Sequence, residues 1–236
     1  NGLGDGTNSS SKVPVLVSGG HTWESITTGY QHTCGLTTSD AAYCWGSNGG
    51  AGALGDGTTT QRSTPTLVSG GHTWNSISAG FNLTCGVTDS GSPTLKAYCW
   101  GENENGQLGD NSSTDRSVPT ELSGGRAPWT MISAGGESTE VHSCGIGSGN
   151  TGLCWGAGGW GKIGDGVEGA PSYQVPTEIL ELSGDTWKSI SAGDNHNCGV
   201  TTAGVAYCWG RDNYGQLGDG SADLAYSTPA KITLPW

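Results

Sequence analysis

The sequence predicts an all-β protein, a β-propeller built of tandem four-stranded blades. Three observations carry that expectation. A five-residue stretch recurs as Ala42-Tyr43-Cys44-Trp45-Gly46, Ala97-Tyr98-Cys99-Trp100-Gly101 and Ala206-Tyr207-Cys208-Trp209-Gly210, with a weaker copy at Gly152-Leu153-Cys154-Trp155-Gly156. A Trp-x-x-Ile step precedes each copy, at Trp23, Trp74, Trp129 and Trp187, spaced 51 to 58 residues apart. A fixed period of that size marks an array of supersecondary units. Finally, glycine supplies 44 of the 236 residues without a three-residue period. That is too much for helices, where each interior glycine costs about 1 kcal/mol against alanine. Gly, Ser, Thr, Asn and Asp instead cluster between short apolar runs, as turn residues do in all-β chains.

Each unit holds the same parts in the same order. Ile-Ser-Ala-Gly reads as a short strand closed by glycine. A second strand carries the first cysteine, as in His32-Thr33-Cys34-Gly35-Leu36-Thr37, with His32 and Cys34 on one face because strand side chains alternate. A turn leads to the Tyr-Cys-Trp-Gly strand. A loop ending in Leu-Gly-Asp-Gly follows, as at residues 54–57, and a last strand runs near a proline, as at Pro65. Three or four strands per unit fit a propeller blade better than a β-solenoid coil, whose repeats are shorter and more uniform. The units are residues 23–73, 74–128, 129–186 and 187–236, preceded by a partial repeat over 1–22. Residues 1–22 and 213–235 duplicate the same parts instead of complementing each other, and Trp236 falls where a fifth copy would begin. This predicts a segment of a longer propeller, since stacked repeats need neighbours. A small closed ring and completion by a neighbouring protomer compete with it. The start at Asn1 implies either a removed leader or a piece of a longer chain.

The order Trp-x-x-Ile-Ser-Ala-Gly, His-x-Cys-Gly-Val-Thr, Ala-Tyr-Cys-Trp-Gly, Gly-Gln-Leu-Gly-Asp-Gly, Thr-Pro resembles the regulator-of-chromosome-condensation repeat. Residues 187–229 hold nearly the whole pattern, and the likeness extends over the full chain. The resemblance implies four-stranded blades, usually seven around a central channel. It also implies a function that need not be enzymatic: members include a nucleotide exchange factor for a small GTPase, a plant ultraviolet photoreceptor and a secreted bacterial inhibitor of β-lactamases. The paired cysteines depart from intracellular members and are similar to the secreted versions.

Eight cysteines fall into four local pairs, Cys34/Cys44, Cys85/Cys99, Cys144/Cys154 and Cys198/Cys208. Pairing at one place in every unit predicts disulfides and an oxidising, extracellular compartment. The alternative is a His-x-Cys plus Cys zinc set using His32, His142 and His196, but the second unit has Leu83 where the histidine should stand. The aspartates of the Gly-Asp turns (Asp5, Asp56, Asp110, Asp165, Asp219) supply one carboxylate per unit, far from the six to eight oxygens that calcium takes, and read as turn formers. Sequons at Asn8, Asn82 and Asn111 are candidate N-glycan sites.

Net charge is −12, with nine Lys and Arg against 21 Asp and Glu. Without a basic stripe, nucleic acid is excluded as a partner class, and no apolar run reaches the roughly 20 residues of a membrane helix. No nucleophile elbow or other catalytic constellation emerges, so the sequence predicts a non-enzyme without cofactor or metal. Features present in every unit read as scaffold, and function is expected where units differ. The differences are the long Gly136–Ser143 loop with Glu137 and Glu140, the Ser90–Lys96 turn, the Val167–Asp185 loop with Tyr173, Glu178 and Glu181, and Trp160 on a glycine-rich turn. These residues form a candidate acidic, aromatic contact surface; ordinary loop-length variation is the competing explanation. The resulting expectation is a secreted structural or adhesive scaffold, such as a filament or surface-layer subunit, that binds protein or itself. A secreted protein-binding inhibitor and a carbohydrate-active enzyme are the alternatives.

Overall fold

A computed structural model describes residues 2–88, 94–180, 184–222 and 224–232. Glu181, Trp236 and the Ser90 end of the second unit's turn lie outside the described residues. Four antiparallel meanders follow one another. The first is β1 (Trp23–Thr28), β2 (His32–Thr37), β3 (Ala42–Gly46) and β4 (Arg62–Leu67). The second is β5 (Trp74–Ala79), β6 (Leu83–Thr88), β7 (Ala97–Gly101) and β8 (Arg116–Glu121). The third is β9 (Met131–Gly135), β10 (His142–Gly147), β11 (Thr151–Ala157) and β12 (Ser172–Glu178). The fourth is β13 (Trp187–Ala192), β14 (His196–Thr201), β15 (Ala206–Arg211) and β16 (Ala225–Lys231). These are the four strands per unit that the repeat predicts, in the predicted order.

The core lies between blades, not within them. The cysteine face of one blade meets the tryptophan face of the next. Cys34, Leu36, Cys44 and Leu54 of the first blade pack with Trp74, Ala79 and Trp100 of the second. The second and third blades join through Cys85, Val87 and Cys99 against Trp129, Ile132 and Trp155. The third and fourth join through Cys144, Ile146 and Cys154 against Trp187, Ile190 and Trp209. Each buried indole removes apolar area worth at most about 4–6 kcal/mol.

Polar groups fix the register of these joints. The indole Nε1 of Trp45, Trp100, Trp155 and Trp209 donates to the carbonyls of Gly2, Ala53, Gln107 and Lys162, at 2.9–3.0 Å. Those same carbonyls accept a second bond, from the side chains of Thr33, Thr84, Ser143 and Asn197. Each accepting loop belongs to the unit before its tryptophan. Residues 2–22, which form no strand, thus cover part of the first blade as that unit's preceding loop. Nearer the inner edge, the hydroxyls of Thr27, Ser78 and Ser133 accept the backbone N–H of Ala79, Ala134 and Ala192. Glycine is required beneath each indole. A Cβ on Gly55 or Gly109 would sit 2.6 or 2.8 Å from the indole nitrogen, and both residues have positive φ.

The four predicted cysteine pairs are disulfides between directly opposed residues of the second and third strands. The Gly-Asp turns are closed by their own carboxylates. Asp56 accepts from the Thr58 N–H and hydroxyl and pairs with Arg62 at 2.7 Å, and Asp110 does the same with Ser112 and Arg116. Hydrogen bonds from these partners hold both carboxyls below the usual range, although burial acts in the opposite direction. Among the described residues no group of His, Cys, Asp and Glu could hold a metal, and no helix is long and apolar enough to cross a membrane.

His32 and His142 are enclosed in the blade joints, with Nε2 at 2.8 Å from Thr84 Oγ1 and 2.7 Å from Asn197 Oδ1. Burial depresses them to about 4 and about 3. The unfolded chain therefore takes up protons that the folded one refuses. Stability from these two groups is complete above about pH 6.5 and falls as pH drops toward 4, by about 1.4 kcal/mol per unit for each histidine. Urea midpoints measured from pH 7 to 4.5 are expected to show this slope. His32→Leu, the side chain the second unit already uses, should reduce it, whereas the low-lying Asp56 and Asp110 act only below about pH 3.8. Replacing Cys144 and Cys154 together by alanine should lower unfolding stability by about 2–3 kcal/mol in the chain-entropy model, measured by denaturant unfolding.

Candidate functional face

In every blade the register places the loop between strands one and two beside the loop between strands three and four: His32 lies opposite Gly46, and His142 opposite Gly156. All these loops gather at one end of the molecule. There the first loops of the four blades surround an open cleft of about 700 Å³. One wall carries Tyr30 and Phe81, stacked at 4.5 Å between ring centroids with an 18° interplanar angle. The other carries the carboxylates Glu137 and Asp194. Tyr30 is 64% exposed, so the stack leaves a flat aromatic surface open to solvent.

The long Gly136–Ser143 loop is held at this end by an internal cation. Lys162 has no exposed side-chain surface and sits 2.8 Å from Glu140 Oε2. Its ammonium also donates to the Glu140 carbonyl at 2.8 Å and to Asn195 Oδ1 at 3.3 Å, while the Asn195 amide donates to Glu137 Oε1 at 3.0 Å. All three ammonium protons thus find acceptors, which a buried lysine requires. Burial lowers the Lys162 pKa, opposed by Glu140, Glu137 and Asp194. Sequence reasoning missed Lys162 because it occupies the variable place of a Gly-x-Ile-Gly turn. A charge where the other units have Gly2, Ala53, Gln107 and Gln216 was the available signal.

Beside this loop Arg211 lies 5.0 Å from the ring centroid of Trp160 and 5.6 Å from that of Tyr214, within cation–π range. Trp160 has φ +61°, in the left-handed region that favours glycine, and the residue is 41% exposed. An exposed indole on a backbone conformation costing about 1–3 kcal/mol makes Trp160 a candidate contact residue. Of the residues singled out in the sequence, Glu137, Glu140 and Trp160 come together on this face. Tyr173 lies at the same end but bonds Asp165, and burial pushes its hydroxyl up to about 12. Glu178 lies at the opposite end, paired with Arg126. Asn8 and Asn111 are exposed, whereas the Asn82 amide donates to Glu102 at 3.0 Å and its sequon threonine, Thr84, is buried.

The fold and this face together define a repeat β-propeller whose loops line an open cleft at one end. Its repeats match the family model described as the regulator of chromosome condensation (RCC1) repeat over residues 96–141, 153–200 and 203–235, and a second model of the same description over 23–50, 74–107 and 187–216. The chain belongs to this family. It is 29% identical over 227 residues to the ultraviolet-B receptor UVR8 of Arabidopsis thaliana, covering 94% of this chain and 49% of that receptor. It superposes on human WBSCR16 with a TM-score of 0.78 at 22% identity, covering 93% of this chain and 55% of that one. It also superposes on the entire ectodomain of the Physcomitrella patens receptor kinase CR4 with a TM-score of 0.50 at 26% identity, covering 81% of this chain and 42% of that one. The chain thus spans about half the length of the curated receptor it matches.

Lys162→Met removes the cation that ties down the long loop. Amide hydrogen exchange at residues 137–141 is expected to accelerate about tenfold, corresponding to about 1.4 kcal/mol of lost local stability, with little change in the first two blades.

Proposed function

We propose that this protein is a secreted, non-catalytic scaffold whose loop face binds a protein partner. The observation that carries the reading is the cleft. Loops of four rigid blades converge there, with stacked aromatic rings on one wall and carboxylates on the other. Exposed aromatic rings on a preorganised surface are the usual anchors of protein recognition, and rigid sheets holding variable loops are the usual way to display them. Placement outside the cell is supported by the four disulfides, which persist in oxidising compartments, and by the similarity to a receptor-kinase ectodomain. A structural or adhesive role in a filament or surface layer is the finer form of the same reading. Exposed Asn8 and Asn111 are the sequons best placed to carry glycans in that setting.

The test is capture of partners from the extracellular fraction by the wild-type chain and by Tyr30→Ala and Asp194→Lys. Each variant is expected to weaken capture of the same partner about 30-fold, as loss of a binding hot spot of about 2 kcal/mol does, without lowering thermal stability. Undiminished capture by both variants would remove the cleft from the reading, and multiple turnover on a glycan panel would remove the non-catalytic role. Protein recovered from its natural compartment should have all eight cysteines closed to alkylation until reduced.

A further inference from the structure

A lysine, an asparagine and two glutamates meet where the third blade joins the fourth, and their order has chemical meaning. Lys162 has no exposed side-chain surface, and Asn195 is 7% exposed. The Lys162 Nζ lies 2.8 Å from Glu140 Oε2 and 3.3 Å from Asn195 Oδ1, while Asn195 Nδ2 lies 3.0 Å from Glu137 Oε1. An amine thus touches a carboxamide away from bulk water, with one carboxylate against each nitrogen. Both residues are also pinned through their backbones. The Lys162 carbonyl accepts from the Trp209 indole and the Asn197 amide, and the Asn195 carbonyl accepts from the Arg211 N–H. Such fixed contact replaces a chance encounter between the two groups.

We propose that Lys162 and Asn195 join in an intramolecular isopeptide bond, with Glu140 as the proton carrier. Glu140 takes one proton from the ammonium. The neutral amine attacks Asn195 Cγ, and the Nζ–Cγ bond forms. A second proton then passes from Nζ through the carboxylates to Nδ2. The Cγ–Nδ2 bond breaks, and ammonia leaves with the proton that Glu140 held. One ammonium and one primary amide become one secondary amide and one ammonium ion, so no oxidant, reductant or cofactor is needed. Burial favours the neutral, nucleophilic form of the lysine. The reaction also removes a charge from a site where a desolvated ion is costly. The product N–H keeps an acceptor, since the Glu140 carbonyl lies 2.8 Å from Nζ. Each disulfide staples one blade internally. This bond instead ties two blades across 33 positions of sequence and is indifferent to reductant. The inference stands on this cluster alone, whether or not the cleft binds a partner.

Intact mass of the full chain, reduced and unfolded, tests it. The wild-type chain is expected to be lighter than its sequence by one ammonia. Trypsin should fail to cut after Lys162 and should release the Lys162 fragment joined to the Asn195 fragment. Lys162→Met and Asn195→Ala should each restore the sequence mass. Glu140→Gln keeps a hydrogen-bonding side chain of the same shape but cannot take the proton. It should slow cross-linking by about 100-fold or more, measured as the cross-linked fraction against time after folding. A wild-type chain of full sequence mass after days at neutral pH would overturn the proposal, and that readout needs no variant to fold. So would an ammonia loss that persists in Lys162→Met, which is cyclisation of an asparagine and not this bond. Undiminished cross-linking in Glu140→Gln would overturn the assigned proton carrier.

Discussion

One hydrogen bond organises this molecule: an indole N–H reaching out of one blade to a backbone carbonyl in the loop of the unit before it. A tryptophan is large enough to fill the space between two sheets and carries a single donor that must be satisfied when buried. The loop answers both demands. Its glycine leaves room for the ring, and its carbonyl takes the donor. The same oxygen then accepts a hydroxyl or amide from the adjacent strand, so both its lone pairs are used. Because the bond crosses between units, no blade is complete without the one before it.

This arrangement accounts for the sulfur chemistry. A blade rich in glycine, serine and threonine has little apolar side-chain volume of its own. The disulfides supply compact apolar mass at the centre of each joint and restrict the unfolded chain as well. They stand on the face that the next blade's Trp and Ile cover, so covalent and hydrophobic stabilisation act at one place. The neutral histidines beside them belong to the same dry layer, and acid weakens the molecule there first. The candidate face is built by other means. Where the repeat is strict the side chains are committed to joints. Where it lapses, at the Glu137 loop and the Trp160 turn, side chains bond one another at the surface and leave the Trp160 indole partly exposed.

Much of this was legible in advance because it repeats. Strand order, the pairing of all four sets of cysteines and the role of the Gly-Asp turns follow from spacing and residue type, and the structure has each as expected. The candidate face was legible only in part. Glu137, Glu140 and Trp160 stood out as departures from the repeat, but Tyr30 and Phe81 did not, since they lie 51 residues apart and meet only when blades stack. Lys162 looked like a turn residue until a carboxylate from a loop 22 residues earlier was seen to close on it.

The sequence by itself determined the blade, since alternation along a strand, positive-φ turns and cross-strand cysteines are local properties that a 50-residue unit carries within it. Only the tertiary structure decided which face of each blade meets which, and that Tyr173 and Glu178 lie at opposite ends. Those outcomes depend on contacts between residues far apart in sequence, from 22 positions for Lys162 and Glu140 to 59 for Ala192 and Ser133. In such contacts the fit of an indole against a glycine, or of an ammonium among three oxygens, is a matter of geometry that no single unit contains.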